Sequence, residues 1–406
     1  MARKGRRQVG NGGFSQERLE RMRRVLAGHV ERGDVPGVVA LVSCQDEVHV
    51  EAVGTKATTG GAPMQSDTVF RIASMTKPVV AAATMTLVEE CRLRLDDPVD
   101  PLLPELAGRK VLKQLSGPLE DTVPANRAIT LRDLLTMRMG FGFILEPSST
   151  YPIHQAASDL GVMPGPPNPL APHTPDEWLR RFATLPLLHQ PGEKWTYPTA
   201  FSVLGVLLER ATGQPLETVL RERIFEPLGM KDTSFSVPPD KLDRLASCYR
   251  ASSPPGTLEL YDDAATSAWR HPPKFPDADG GLVSTVDDYL AFGQMMLAKG
   301  KYKGERILSR LSVELMTTDQ LTPAQRATAG YFLGDNRGWG LGMSVIIKRD
   351  DLSAVPGRFG WDGGLGTSWY SDPKEGLIGI LMTQVMGFPS GIYSDFWTSA
   401  YGALDD

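Results

Sequence analysis

Apolar and polar positions change period several times along the chain, and each change marks an element. From Ser15 to Glu31 the apolar residues Leu19, Met22, Val25, Leu26 and Val30 recur among charges at helical spacing, predicting an amphipathic surface helix with Ser15 at its N-cap. Pro36-Gly37 stops that period. Residues 38–43 then predict a buried strand and residues 48–53 alternate with period two, so the pair forms a hairpin around a turn at Gln45-Asp46. Near the other end, residues 338–347, 366–371 and 376–383 are short, β-rich and separated by charged or Pro/Gly turns. They predict three more antiparallel strands, and residues 390–403 predict a closing helix rich in aromatics. A hairpin alone and a three-stranded unit alone are both marginal in water. The expectation is therefore an α/β fold: one antiparallel sheet of five or more strands, built from both chain ends and flanked by helices.

The middle of the chain reads as helical. Thr130 is followed three positions later by Asp133 in a capping-box spacing, and Thr174 is followed by Pro175 at a first helical position. Residues 200–212 are strongly periodic up to Gly213, and residues 215–224 predict another helix. Residues 140–173 are rich in Pro, Gly and Ser with little periodicity, which predicts a loop long enough to shape a pocket. The domain expectation is a basic tail without fixed structure at 1–13, a sheet unit from 14–95 and 275–406, and a mostly helical insertion at 96–274. A site would lie where the last two meet.

Ser74-Met-Thr-Lys77 stands just ahead of Pro78 and an Ala-rich apolar run. Pro is tolerated in the first helical turn and disfavoured beyond it, so a helix begins close to Ser74. Residues three apart share a helix face, which lets the hydroxyl and the amine reach one cleft. Unpaired N–H groups at the helix start suit an oxyanion formed at a carbonyl under attack. The spacing alone is weak evidence, because Ser371-Asp-Pro-Lys374 repeats it. There Pro373 and Gly376 predict a turn between strands, which cannot present both groups on one helix turn.

Composition narrows the chemistry. The formal net charge of −5, with mixed signs, lacks the basic patch of a nucleic-acid surface. Cys44, Cys91 and Cys248 are odd in number and far apart, and the six histidines show no paired spacing, so neither a disulfide framework nor a metal centre is expected. The longest apolar runs are strand-length, too short for a membrane span. No apolar core follows the basic N-terminus, so the expected location is the cytoplasm. No cofactor is expected, and the oligomeric state is open.

Two further segments are possible companions of Ser74. Tyr197 lies in a Gly-Pro loop just ahead of a helix, and Phe359-Gly-Trp-Asp-Gly-Gly-Leu-Gly366 carries four glycines ahead of a strand. Taken singly, a packed aromatic and a tight bulged turn explain them. Ser74-Met-Thr-Lys77, Tyr197-Pro-Thr199 and Trp361-Asp-Gly-Gly364, in this order and at these separations, together resemble the serine β-lactamase and penicillin-binding-protein superfamily. The closest branch is the class-C-like, or family VIII, carboxylesterases with related acyltransferases and peptidases. The likeness runs from about Ser15 onward and includes Phe70-Arg-Ile-Ala-Ser74, Ile224-Phe-Glu-Pro-Leu-Gly-Met230 and Gly280-Gly-Leu-Val-Ser-Thr285.

The resemblance implies Ser74, Lys77 and Tyr197 as catalytic residues and the amides of Ser74 and Gly364 as an oxyanion hole. It implies Trp361, Asp362, Gly363 and Thr199 at a small-molecule ester substrate. Two departures from the lactamase pattern matter. Thr199 replaces an Asn, and Trp361 replaces a Lys suited to a substrate carboxylate. Both favour uncharged short-chain esters over penicillins, with acyl transfer or weak β-lactam or DD-peptide cleavage as alternatives. An unperturbed lysine is neutral only about once in 2,500 molecules at pH 7, so Lys77 can be the base alone only if burial lowers its pKa strongly. Tyr197 is the other possible base.

Overall fold

The eight residues of β1 (Gly37–Cys44) are all buried, and the reason is visible on both faces of the strand. Val38, Ala40 and Val42 pack into one apolar cluster, while Val39 and Leu41 pack into another. A strand covered on both sides loses polar alternation and reads as a continuous apolar run. This is a computed structural model, and it describes residues 13–145, 151–252, 257–387 and 391–405. The expected basic tail, apart from Gly13, lies outside the described residues.

In chain order the elements that place the site are α1 (Gln16–Glu31), β1, β2 (Glu47–Gly54), α2 (Thr76–Glu89), α3 (Leu131–Leu135), α4 (Pro152–Asp159), α5 (Pro175–Ala183) and α6 (Ala200–Thr212). Then come α7 (Val286–Leu297), β3 (Arg337–Trp339), β4 (Ser344–Ile346), β5 (Phe359–Gly363), β6 (Thr367–Asp372), β7 (Leu377–Thr383) and α8 (Ile392–Gly402). The main sheet has seven strands in the order β3-β4-β5-β6-β7-β1-β2, every neighbour antiparallel. β1 joins the two chain ends by pairing Leu41 with Val50 on one side and with Ile380 on the other. One face is covered by α1 and α8 through Leu19, Met22, Leu26, Phe396 and Trp397. The other packs on α2 and α7 through Val79, Val80 and Phe292. Helix α2 is buried along nearly its whole length, as its lack of a polar stripe requires.

The sheet exceeds the minimum of five strands at two places. Residues 338–347, expected as one strand, fold back as β3 and β4 around Gly340-Leu-Gly342. A Cβ on Gly340 would lie 1.9 Å from the Met316 carbonyl oxygen, so the chain must reverse there without a side chain. Residues 359–363, expected as a glycine-rich turn, form β5, with Trp361 opposite Trp369. The expected loop 140–173 also contains α4, which starts at Pro152 and buries Ile153 and Ala157. An eight-residue helix with one short apolar stripe leaves little periodic signal. Ser15 stands at the α1 N-cap, yet its side chain makes no capping bond; its N–H donates to Ala403 O at 2.9 Å. At Thr130 both capping-box bonds form with Asp133, and Thr174 accepts from Glu177 N–H.

Candidate active site

Ser74 sits in a single 3-10 turn, Ala73–Met75, directly ahead of α2. Ala73 takes φ 43°, a left-handed conformation uncommon for a residue with a Cβ. Distant segments hold this bend. Ile72 N–H donates to Leu282 O at 3.0 Å, and Ile72 O accepts from Thr367 Oγ1 at 3.1 Å. Tyr289 OH donates to Met75 O at 2.7 Å on the other side. Gly363, at the end of β5, comes so close that a Cβ there would lie 2.2 Å from the Ile72 carbonyl oxygen. That explains one glycine of the Trp-Asp-Gly element by the protein's own packing.

Three polar atoms converge on one point. Lys77 Nζ donates to Ser74 Oγ at 2.9 Å, and Tyr197 OH bonds the same oxygen at 2.5 Å. Trp361 Nε1 donates to Tyr197 OH at 3.1 Å. Lys77 Nζ also lies over the Tyr197 ring, 4.5 Å from its centroid. Tyr197 is held in an aromatic cage, with ring centroids of Phe332 at 4.7 Å, Trp195 at 5.5 Å and Trp361 at 5.9 Å. Trp339 closes the cage between Trp195 and Trp361, at 5.4 and 4.8 Å. A phenol held by three rings has little rotamer freedom left to lose when a substrate arrives.

Lys77 is fully buried, and its Nζ has a second neighbour that the sequence reading missed. It donates to the Asp279 backbone oxygen at 2.6 Å and forms an ion pair with the Asp279 carboxylate. Burial by itself would lower the Lys77 pKa, but Asp279 and Tyr197 outweigh it and hold the amine above the ordinary lysine range. The strong downward shift that would make Lys77 a base alone is therefore reversed in sign. Burial pushes Asp279 up to about 7, against the pull of Lys77 and with a further push from Asp277. Asp277 in turn accepts from Asp279 N–H at 3.0 Å and from Ser202 Oγ at 2.8 Å. This turn is seated against α6 at Gly205, where a Cβ would lie 2.9 Å from the Ala278 Cβ. Asp279 stands beside the Gly280-Gly281 pair, but an acid next to glycines carries no periodic or spacing signal that would have marked it.

Ser74 and Tyr197 face a cavity of about 640 Å³. Trp361, Asp362 and Gly364 line it, together with Phe143, Pro166, Pro167, Phe332, Leu365 and the exposed Tyr331. Asp362 is engaged inward, accepting from Ser368 Oγ at 2.6 Å and from Tyr370 OH at 3.0 Å. Arg337, a cation in the same wall, leans on that carboxylate at 3.5 Å and on Tyr370 OH at 3.0 Å. Two residues expected at the substrate lie elsewhere. Gly363 packs against Ile72, as above, and Thr199 lines a separate cavity of about 130 Å³ with Ser202, Asp277 and Asp279. Thr199 stands at the N-cap of α6, and its hydroxyl is buried without a partner. Among the described residues no group of His, Cys, Asp and Glu is placed to hold a metal ion, and no helix is long and apolar enough to cross a membrane.

Comparison with known proteins adds three kinds of likeness. The Beta-lactamase family profile matches residues 22–397. Protein Rv1367c of Mycobacterium tuberculosis is 41% identical over 366 residues, covering 87% of both chains. Esterase EstB of Burkholderia gladioli is 32% identical over 371 residues, covering 86% of both. Among solved structures, EstCE1, described as a hydrolase with promiscuous acyltransferase activity, superposes with a TM-score of 0.79 at 24% identity, covering 95% of this chain and 99% of its own.

Proposed function

The chain belongs to the beta-lactamase family, in its branch of serine esterases and acyltransferases, and on that premise we propose a carboxylesterase that cleaves short-chain esters through an acyl-enzyme on Ser74. The observation that carries this reading is Ser74 Oγ bonded at once to Lys77 Nζ at 2.9 Å and Tyr197 OH at 2.5 Å, beside a cavity. Ser74 Oγ attacks the ester carbonyl carbon while one of its two neighbours takes the proton. The carbonyl oxygen turns toward the N–H groups of Ser74 and Gly364, the positions the family pattern assigns to an oxyanion hole. Collapse releases the alcohol, and water then repeats the sequence on the acyl-enzyme. Trp361, Phe332 and Phe143 wall the acyl group.

The preference for uncharged esters is supported by the wall itself. Trp361 replaces the lactamase lysine, and the nearby cation Arg337 is already paired with Asp362. The test is turnover of p-nitrophenyl acetate and butyrate by wild type and Ser74→Ala, with nitrocefin in parallel. Esters should give the higher kcat/KM and the variant should be dead; wild-type-like turnover by Ser74→Ala would end the proposal.

A second reading, transfer of the acyl group to an alcohol or amine, has its own support in cavity size. About 640 Å³ is room for a drug-sized molecule, more than a short acyl chain needs, so an acceptor could sit beside the acyl-enzyme. Adding a thioester donor and an alcohol acceptor should then yield more transfer product than free acid. Hydrolysis alone under those conditions would leave the esterase reading as the only one.

A further inference from the structure

A second cavity, of about 260 Å³, adjoins the one that Ser74 faces, and Phe143, Tyr197 and Phe332 line both. Phe143 and Phe332 stack with 12° between their ring planes and centroids 6.5 Å apart, so the partition between the two cavities is largely aromatic. Behind it, Leu115, Ile144 and Trp195 bring apolar surface to the rear cavity. Lys194 and His189 stand at the side that this cavity shares with a polar groove of about 750 Å³. A chain running back from Ser74 therefore meets apolar side chains before polar ones, which suits hydrocarbon. Resting on the acyl-enzyme reading above, we propose that the rear cavity is a second acyl subsite, which takes the tail of a medium-chain acyl group once the Phe332 ring swings aside.

The two rings of the partition are held differently. Phe143 is fixed through the backbone: its N–H donates to Tyr197 O at 2.5 Å, and a Cβ on the neighbouring Gly142 would collide with the same oxygen. Phe332 rides on the four-residue helix Gly330–Leu333, between an exposed Tyr331 and a Leu333 anchored in the core. That helix starts at one glycine and is followed by another. A Cβ on Gly330 would meet nothing within 4 Å, and Gly334 takes φ 58°, so the backbone on either side of the ring has room to turn. Phe332 is the leaf of this door and Phe143 its post.

The leaf also packs on the Tyr197 ring, with centroids 4.7 Å apart, and on Trp195 at 5.6 Å. Swinging it aside gives up part of that aromatic packing, so an acyl group that needs the rear cavity is turned over less readily than one that does not. Acetyl and butyryl groups stay in front of the partition and leave it closed. The short-chain preference and the capacity for longer chains thus have one origin, the position of a single ring.

The experiment plugs the rear cavity and leaves the front one open. Ile144 lines the rear cavity and not the front one, so Ile144→Trp fills the proposed subsite alone. The readout is kcat/KM for p-nitrophenyl octanoate divided by that for p-nitrophenyl acetate, a ratio that cancels any loss common to both esters. Phe332→Ala removes the leaf and should raise the ratio about three- to tenfold. Ile144→Trp should lower it about threefold or more, both in wild type and in Phe332→Ala. A plugged ratio within about twofold of its unplugged parent, in either background, overturns the proposal, because the tail then lies in the front cavity. Should Ile144→Trp not fold, Leu115→Trp narrows the same space from the groove side. Calorimetric binding of methyl octanoate to Ser74→Ala, with and without the plug, reads the subsite without turnover. The plug should weaken that binding about threefold or more, and an unchanged affinity overturns the proposal. A failed esterase assay and a failed rear subsite are thereby separate results.

Discussion

The chain carries the same tetrapeptide pattern twice, at Ser74-Met-Thr-Lys77 and at Ser371-Asp-Pro-Lys374, and the structure treats the two copies in opposite ways. In the first, hydroxyl and amine are 2.9 Å apart, and the amine is fully buried. In the second, Ser371 lies inside a buried strand with its Oγ enclosed and unpartnered, while the Lys374 side chain is 69% exposed beyond the strand end, near Glu375. Identical spacing therefore brings hydroxyl and amine into contact only where a helical turn aligns the two groups, and there remote residues add a phenol and a carboxylate. The pattern is a necessary local condition; the companions are supplied by residues more than a hundred positions away.

The comparison can be broken most directly at the two serines. Ser74→Ala should lower kcat for p-nitrophenyl butyrate by about 10⁴-fold or more. Ser371→Ala should leave it within about twofold, since that hydroxyl bonds nothing. Equal losses at both positions would show that the first copy has no special role.

Next in size are the groups that touch Ser74 Oγ. Tyr197→Phe keeps the ring in its cage and removes only the oxygen, so kcat should fall by about 10²- to 10⁴-fold with the melting temperature nearly unchanged. A drop in stability as large as the drop in rate would point to a packing role for the phenol instead.

The pH profile sharpens the contrast further. Asp279 is pushed up to about 7, so its carboxylate is present above that pH and is lost as pH falls through it. Ester kcat/KM should accordingly decline on the acid side of about 7 in wild type, and that inflection should be missing in Asp279→Asn. The second copy has no counterpart, because the Lys374 side chain is 69% exposed and its amine pairs with Glu375 rather than with a buried carboxylate.

Smaller effects are expected at the cage. Phe332→Ala removes the ring whose centroid lies 4.7 Å from that of Tyr197 and opens the cavity wall. Selectivity across an acyl-chain series should shift toward longer chains by about three- to tenfold, with about 1–3 kcal/mol of stability lost. Lys374→Ala should change neither rate nor stability beyond about 0.5 kcal/mol, a value checked by chemical denaturation.

Several features were readable before any coordinates because their causes are local. The capping box at Thr130 and Asp133, the Thr174-Pro175 start of α5 and the left-handed Gly213 ending α6 are each set within four or five residues. The buried strand β1 and amphipathic α1 follow from period alone. Other features are decided at a distance. The split of residues 337–346 into β3 and β4 depends on the Met316 carbonyl lying where a side chain at Gly340 would be. Asp279 looks like any acid in a loop until α6 and α2 bring it to Lys77.

The sequence by itself determined the family, the terminal helices with β1, β2, β6 and β7, and the trio of hydroxyl, amine and phenol, because residue type and short-range spacing are properties of the chain. Only the tertiary structure decided which way the pKa of the amine is pushed. That depends on how much water reaches Lys77 Nζ and on which carboxylate is buried with it, and both are set by three segments packing together rather than by any one of them.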